Sequence, residues 1–318
     1  MTLLPTFAAS AADWFDVKEI APATWLISEP GHVNSYLMTS PTGSLLFDSG
    51  TGIASIVDAI ASLVQGPLTV VNSHSHLDHV GGNGDLLNHS DRVRLKELCG
   101  HPKTSYSAPM ADREFLNLYA DQFAMIAQRH AEYRELDDAF FFALADQPHM
   151  REMPDISGWC VPFVQPHRLV ADGEVLEVGD RTFVVIHAPG HSEDSLVLFE
   201  PASRTLYSGD TVITAAMWCH GEGADLNALH GTLRRLEQLD ISTILCAHNL
   251  VPQVGRGYLA RVRRAIESVL AGETVATTGH DLLGTSVDRH CSDGITILLP
   301  LTSRATQPLI QSVMGGQP

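Results

Sequence analysis

Residues 74–79 read His-Ser-His-Leu-Asp-His. Three imidazoles and one carboxylate within six residues restrict this chain more than any other stretch does. An uncharged imidazole is costly to bury without a partner, and neighbouring imidazoles suppress one another's protonation. The cluster is therefore either a solvated polar loop or a metal site. The run "LTVVNS" directly before it has the character of a short buried strand. A strand that ends in a loop of polar side chains is a common way to hold a site on a rigid frame.

Three further residues follow the same plan. His191 stands in "HAPGHSEDS", Asp210 in "LYSGDTV" and His248 in "LCAHN", each just after an apolar strand. With His74, His76, Asp78 and His79 they make five imidazoles and two carboxylates, enough for two metal ions. Zinc takes nitrogen and carboxylate oxygen in this mixture, and a catalytic site leaves one position open for water. In extended backbone His74 and His76 point the same way, and Asp78 and His79 then turn towards a second ion. Two divalent ions about 3.5–4 Å apart lower the pKa of a shared water towards about 7. His32 in "PGHVNSY" and His220 in "AMWCHG" are further candidates for the rim of such a pocket. His187 reads as a core residue within a strand.

The rest of the pattern alternates strands with helices. "TWLISEP", "NSYLMTS" and "GSLLFDSG" read as strands, and apolar residues at helical spacing predict an amphipathic helix over 53–65. "VLEVGDRTFVVIHAPG" and "SLVLFEPASRTLYSGD" read as hairpins. Leu226 to Leu239 predict a helix, "ISTILCAH" a strand, 254–271 a last helix and "GITILLP" a late strand. Strands followed by a helix occur twice, so two related halves should pack sheet to sheet with helices outside. Residues 100–165 differ, being helix-forming and rich in aromatics. They could line an acyl pocket, though residues at helical spacing fit a packed core or a homodimer face better. The segment is expected to cover the metal cleft or form a subunit contact, and to set specificity while sparing metal binding.

Composition excludes several roles. Acidic residues number 37 against 20 basic ones, of which only Lys18, Lys96 and Lys103 are lysine, for a net charge of −17. Such a field repels polyanions, so nucleic acid is not an expected partner and a small-molecule substrate is. No apolar run approaches the about 18 residues of a membrane span. The N-terminal stretch makes a poor export signal, and the five scattered cysteines fit a reducing compartment. The expectation is a cytoplasmic chain of one domain over 1–318.

The set His74-x-His76-x-Asp78-His79, then His191, Asp210 and His248, resembles the metal motifs of the metallo-β-lactamase fold hydrolases. Asp48 in "LLFDSG" matches an earlier aspartate of that family, and the likeness covers roughly 20–275. The resemblance implies an α+β fold, a four-layer αβ/βα sandwich, here with a helical insert at about 100–165. It implies one zinc on His74, His76 and His191, and another on Asp78, His79 and His248. Asp210 would bridge them as a catalytic carboxylate with Asp78, and Asp48 would orient a ligand by hydrogen bond. Iron or manganese are the alternative metals.

Departures from sub-patterns narrow the branch. The β-lactamases of this fold generally lack a carboxylate where Asp210 stands, and they are exported, so that activity is disfavoured. Residues 272–318 hold only Arg289 and Arg304 as basic residues, which argues against glutathione recognition of the glyoxalase II kind. The resemblance points to a glyoxalase II-like thioesterase or a lactonase, cleaving a thioester, ester or lactone with a metal-bound hydroxide. The alternative is a persulfide dioxygenase-like oxidoreductase with one iron on His74, His191 and Asp210.

Overall fold

The computed structural model describes residues 14–104, 113–128, 151, 153–162, 164–248 and 251–301. Strands β1 (Asp16–Ala21), β2 (Thr24–Glu29), β3 (Val33–Ser40) and β4 (Gly43–Phe47) form an antiparallel meander. The same sheet continues in parallel through β5 (Leu68–Val71), β6 (Leu95–Gly100) and β7 (Arg168–Leu169). The second sheet repeats the plan. An antiparallel meander of β8 (Val175–Val178), β9 (Arg181–His187), β10 (Leu196–Glu200) and β11 (Thr205–Tyr207) comes first. The chain then contributes β12 (Met217–Trp218) elsewhere and returns as β13 (Thr243–Leu245), parallel to β11, and β14 (Gln253–Gly255) at the edge. The strand β12 joins β15 (Thr277–His280), β16 (Ser286–Ser292) and β17 (Ile295–Pro300) in a third sheet of order β12-β17-β16-β15.

Alternation of side chains along the strands sorts them between two cores. Tyr36, Met38, Leu45 and Phe47 of the first sheet share a buried cluster with Phe183, Val185, Leu196 and Leu198 of the second. Their neighbours Leu37, Leu46, Val197 and Phe199 face the opposite way. There they meet α1 (Ile56–Ile60) on one side and, on the other, two later amphipathic helices, Leu226–Leu236 and Arg256–Leu270. The order helix, sheet, sheet, helix is the expected four-layer α+β sandwich.

Some expected bounds shift. The helix expected over 53–65 is α1 alone, capped by Ser55, whose Oγ accepts from Asp58 N. Beyond Ile60 the Ile60 carbonyl accepts from both Leu63 N and Val64 N in a closing turn, and the chain then reaches Gly66 at φ 59°. A Cβ at Gly66 would lie 2.4 Å from the Thr42 carbonyl oxygen, so glycine is required where this turn meets the β3–β4 hairpin. Beyond β5 come three short helices, α2 (Leu77–Val80), α3 (Asn83–Asn88) and α4 (Ser90–Val93). Within 100–165 the described helix is α5 (Arg113–Gln128), while 105–112 and 129–150 lie outside the described residues. Leu116, Tyr119, Ala120 and Phe123 form its buried stripe and join the main core. The two later helices, Leu226–Leu236 and Arg256–Leu270, are α6 and α7. Among the described residues no helix is long and apolar enough to cross a membrane.

Candidate metal centre

The cluster is not a solvated loop: His74 is 1% exposed and His79 is fully buried. Nor does it continue the strand. After β5 the backbone bends through 73–76, and His76, at φ −63° and ψ 147°, starts α2. Asn72 fixes that turn by donating from Nδ2 to the His79 carbonyl at 2.9 Å. Asp48 follows β4 with φ 64°, and its Oδ1 accepts from Ser73 N at 2.6 Å. His191, Asp210 and His248 reach the same end of the two sheets from the loops after β9, β11 and β13.

All seven residues converge. His76 Nδ1 lies 2.9 Å from His74 Nε2 and 3.0 Å from His191 Nε2. Beside this first triad sits a second. His248 Nε2 is 3.4 Å from Asp78 Oδ2, and His79 Nε2 is 3.8 Å from Asp78 Oδ1. Asp210 lies between the triads. Its Oδ2 is 3.4 Å from His191 Nε2, while its Oδ1 is 3.3 Å from His79 Nε2 and 3.2 Å from His248 Nε2.

The donor set fits cations. His191 donates from Nδ1 to the Trp218 carbonyl at 2.9 Å, and His248 from Nδ1 to the His32 carbonyl at 2.7 Å. His79 Nδ1 meets Asp48 Oδ2 at 2.8 Å. Ser73 Oγ donates to the same Asp48 oxygen at 2.8 Å and accepts from His74 Nδ1 at 2.9 Å. Each of these imidazoles therefore spends its Nδ1 proton outwards and aims an Nε2 lone pair inwards. His74 and His191 both aim at His76 Nδ1, which carries at most one proton when neutral. At least one contact then sets lone pair against lone pair, and a shared cation resolves it. His79 Nε2 and Asp210 Oδ1 are likewise buried and make no hydrogen bond, although they lie 3.3 Å apart. Both point at common space rather than at each other.

Electrostatics separates the triads. Burial, with His79, His76 and His191 adding to it, pulls His74 well below the usual histidine range, and burial with His191 takes His76 down to about 4. Burial opposes a charge on His79 too, but Asp210, Asp78 and Asp48 outweigh it and hold that imidazole well above its usual range. His248 is raised in the same way, chiefly by Asp210 against its burial. Asp210, although buried, is held well below the carboxylate range by His248 and His79.

The rim candidates divide. His32 is 3% exposed and serves the centre through its backbone carbonyl. His220 stays outside both triads, its Nε2 3.4 Å from Asp281 Oδ2. His187 ends β9 rather than lying within it, bonds the Val170 carbonyl and packs on His101 with ring centroids 3.9 Å apart. Four supporting groups were not expected: Asn72, Ser73, the His32 carbonyl and the Trp218 carbonyl. The two carbonyls have no signal in residue type, because every residue carries one.

The family model described as the metallo-beta-lactamase superfamily matches residues 28–248. An acyl-coenzyme A thioesterase, MBLAC2, of Gallus gallus is 29% identical over 227 residues, 65% of this chain and 69% of the relative. A hydroxyacylglutathione hydrolase of Francisella tularensis subsp. novicida is 32% identical over 77 residues, 24% of this chain and 31% of the relative. The solved structure of a metallo-beta-lactamase from Pontibacter korlensis is 16% identical, with a TM-score of 0.50, and covers 80% of this chain and 99% of that one. At that identity the likeness speaks for the fold. The matched span of 28–248 takes in Asp48 and all seven converging residues, and the chain belongs to the metallo-beta-lactamase superfamily.

Proposed function

We propose that this metal-dependent hydrolase cleaves acyl thioesters, with acyl-coenzyme A as the substrate class and two zinc ions as cofactor. One observation carries the reading: Asp210 offers Oδ2 to the first triad and Oδ1 to the second. A single carboxylate so placed neutralises and spaces two cations that would otherwise repel. The likeness to the Gallus gallus acyl-coenzyme A thioesterase supports the thioester over the lactone. Cys99, Cys219, Cys246 and Cys291 are free thiols, as a reducing compartment keeps them, which supports a cytoplasmic setting.

Two divalent cations there would supply a strong nucleophile from water near neutral pH and polarise the acyl carbonyl. The chain's own part is preorganisation. The outward Nδ1 bonds of His74, His79, His191 and His248 hold four Nε2 lone pairs in place. Asp78 and Asp210 supply the negative charge. A persulfide dioxygenase-like centre needs only His74, His191 and Asp210, and leaves the convergence of Asp78, His79 and His248 without a purpose.

The test is metal analysis of protein purified without added metal, followed by assay on acyl-coenzyme A thioesters, lactones, β-lactams and glutathione persulfide. Two zinc ions per chain with thioester turnover are expected. One iron per chain, with oxygen consumed on the persulfide, would overturn the reading. Turnover confined to lactones would replace the substrate class.

A further inference from the structure

His248 takes its direction from the His32 carbonyl, so whatever holds residue 32 also aims this member of the second triad. His32 lies in the turn between β2 and β3, where its N–H donates to the Glu29 carbonyl at 2.8 Å and Gly31 has φ 83°. Its ring is sealed among aromatics. Phe123 stacks on it at 4.0 Å and 19°, Trp14 packs at 5.0 Å, and the Tyr119 hydroxyl lies 3.3 Å from Nδ1. His32 Nε2 is buried and makes no hydrogen bond. The contacts that fix the ring are therefore the aromatic stack and the one polar contact of Nδ1 with Tyr119, both made by residues outside the β2–β3 turn.

Phe123 and Tyr119 both belong to α5, and their rings stack at 4.5 Å. The helix is itself anchored. Arg113 at its start donates to the carbonyls of Ile156 and Trp159. Trp159, fully buried, lies 5.7 Å from the Tyr119 ring and donates from Nε1 to the Thr51 carbonyl at 3.0 Å. The first triad is supported from elsewhere: His191 leans on the Trp218 carbonyl, and Trp218 is paired with Leu298 of the third sheet.

We infer that α5 is a positioning element for the second triad: Phe123 and Tyr119, pressed on His32, fix the carbonyl that aims His248. The inference rests on reading Asp78, His79 and His248 as a cation site. It revises the expectation that residues 100–165 act on specificity alone. His32, Phe123 and Tyr119 are positioning residues, and none of them touches a cation.

The experiment is titration of the metal-stripped full chain with Zn²⁺ against a chromophoric chelator, resolving two equivalents. Phe123→Ala should weaken the second equivalent by about 10–100-fold, the usual size of an outer-shell loss, and leave the first unchanged. His32→Phe keeps a stacking ring and the carbonyl, so it should retain both equivalents. A purely structural role for Phe123 would weaken both equivalents alike or neither, and either result overturns the inference. Should Phe123→Ala not fold, Phe123→Leu keeps the volume and loses the planar stack; an unaltered second equivalent in it also overturns the inference. A wild-type chain that binds one equivalent defeats the two-cation reading itself, and the wild-type titration alone reveals that outcome.

Discussion

The two triads at one edge of the sandwich are built from different materials. His74, His76 and His191 are all imidazole, and burial keeps His74 and His76 in their neutral form. Asp78, His79 and His248 include a carboxylate, and their imidazoles are held towards the protonated form by Asp210 and Asp78. The first triad is imidazole alone, and the second sets two imidazoles beside a carboxylate. Their supports differ as well, the third sheet on one side and the insert helix on the other. If each triad takes a cation, as proposed, the site would be tuned one half at a time, because each half is tied to a different part of the fold.

Asp210 is where that separation should fail most completely. Asp210→Asn keeps the shape and removes the charge shared by the triads. Turnover should fall by orders of magnitude and zinc per chain should drop, chiefly in the second triad. Two zinc ions and a near-normal rate in this variant would return Asp210 to an ordinary turn residue.

Asp48 should come next. It accepts from His79 directly and reaches His74 through Ser73. Asp48→Ala should therefore weaken both triads, by the about 10–100-fold typical of such partners, in the same two-step zinc titration. A loss confined to the second triad would show that the Ser73 relay carries nothing.

Ser73→Ala sharpens the same point with a smaller effect. It removes one hydrogen bond to His74, worth about 1 kcal/mol or roughly a fivefold change. The first equivalent should weaken by about that much, and the second less. Equal weakening of both would place Ser73 in service of Asp48 as a whole rather than of His74.

Glu29 lies outside both triads, and its effect is on stability. Burial raises its carboxyl from 4.5 to about 7, although Thr51 and Trp14 donate to it and favour the charged form. Between those pH values the folded state keeps a proton that the unfolded chain gives up. Its contribution to stability is thus full below about pH 4.5, falls as pH rises and levels off above about pH 7. Glu29→Gln should remove that decline. Melting of the metal-free protein and the variant across this window measures it, and a constant difference between the two would contradict the assignment.

Much of this centre is legible in the sequence because its chemistry is local. Crowded imidazoles at 74–79 have no cheap structural use, and His191, Asp210 and His248 each follow a strand whose alternation is visible. The strands of the meanders are legible for the same reason: Leu45 and Phe47 face one core and Leu46 the other. Where alternation is absent the reading stops. The strand β15 reads Thr-Thr-Gly-His, with no apolar residue, and it exists because β16 supplies its partner. The helix expected over 53–65 overreached because apolar spacing continues into a turn that bends where Gly66 meets the β3–β4 hairpin.

The sequence by itself determined which donors this protein owns and the strand ends from which they project, since residue type and two-residue alternation are properties of neighbouring positions. Only the tertiary structure decided which nitrogen each imidazole presents and how Asp210 divides its oxygens. Those choices depend on what the other nitrogen bonds, and the partners are distant in sequence: Trp218 for His191 and His32 for His248, 27 and 216 positions away. A lone pair acquires its direction when the chain closes around it, and no local pattern contains that closure.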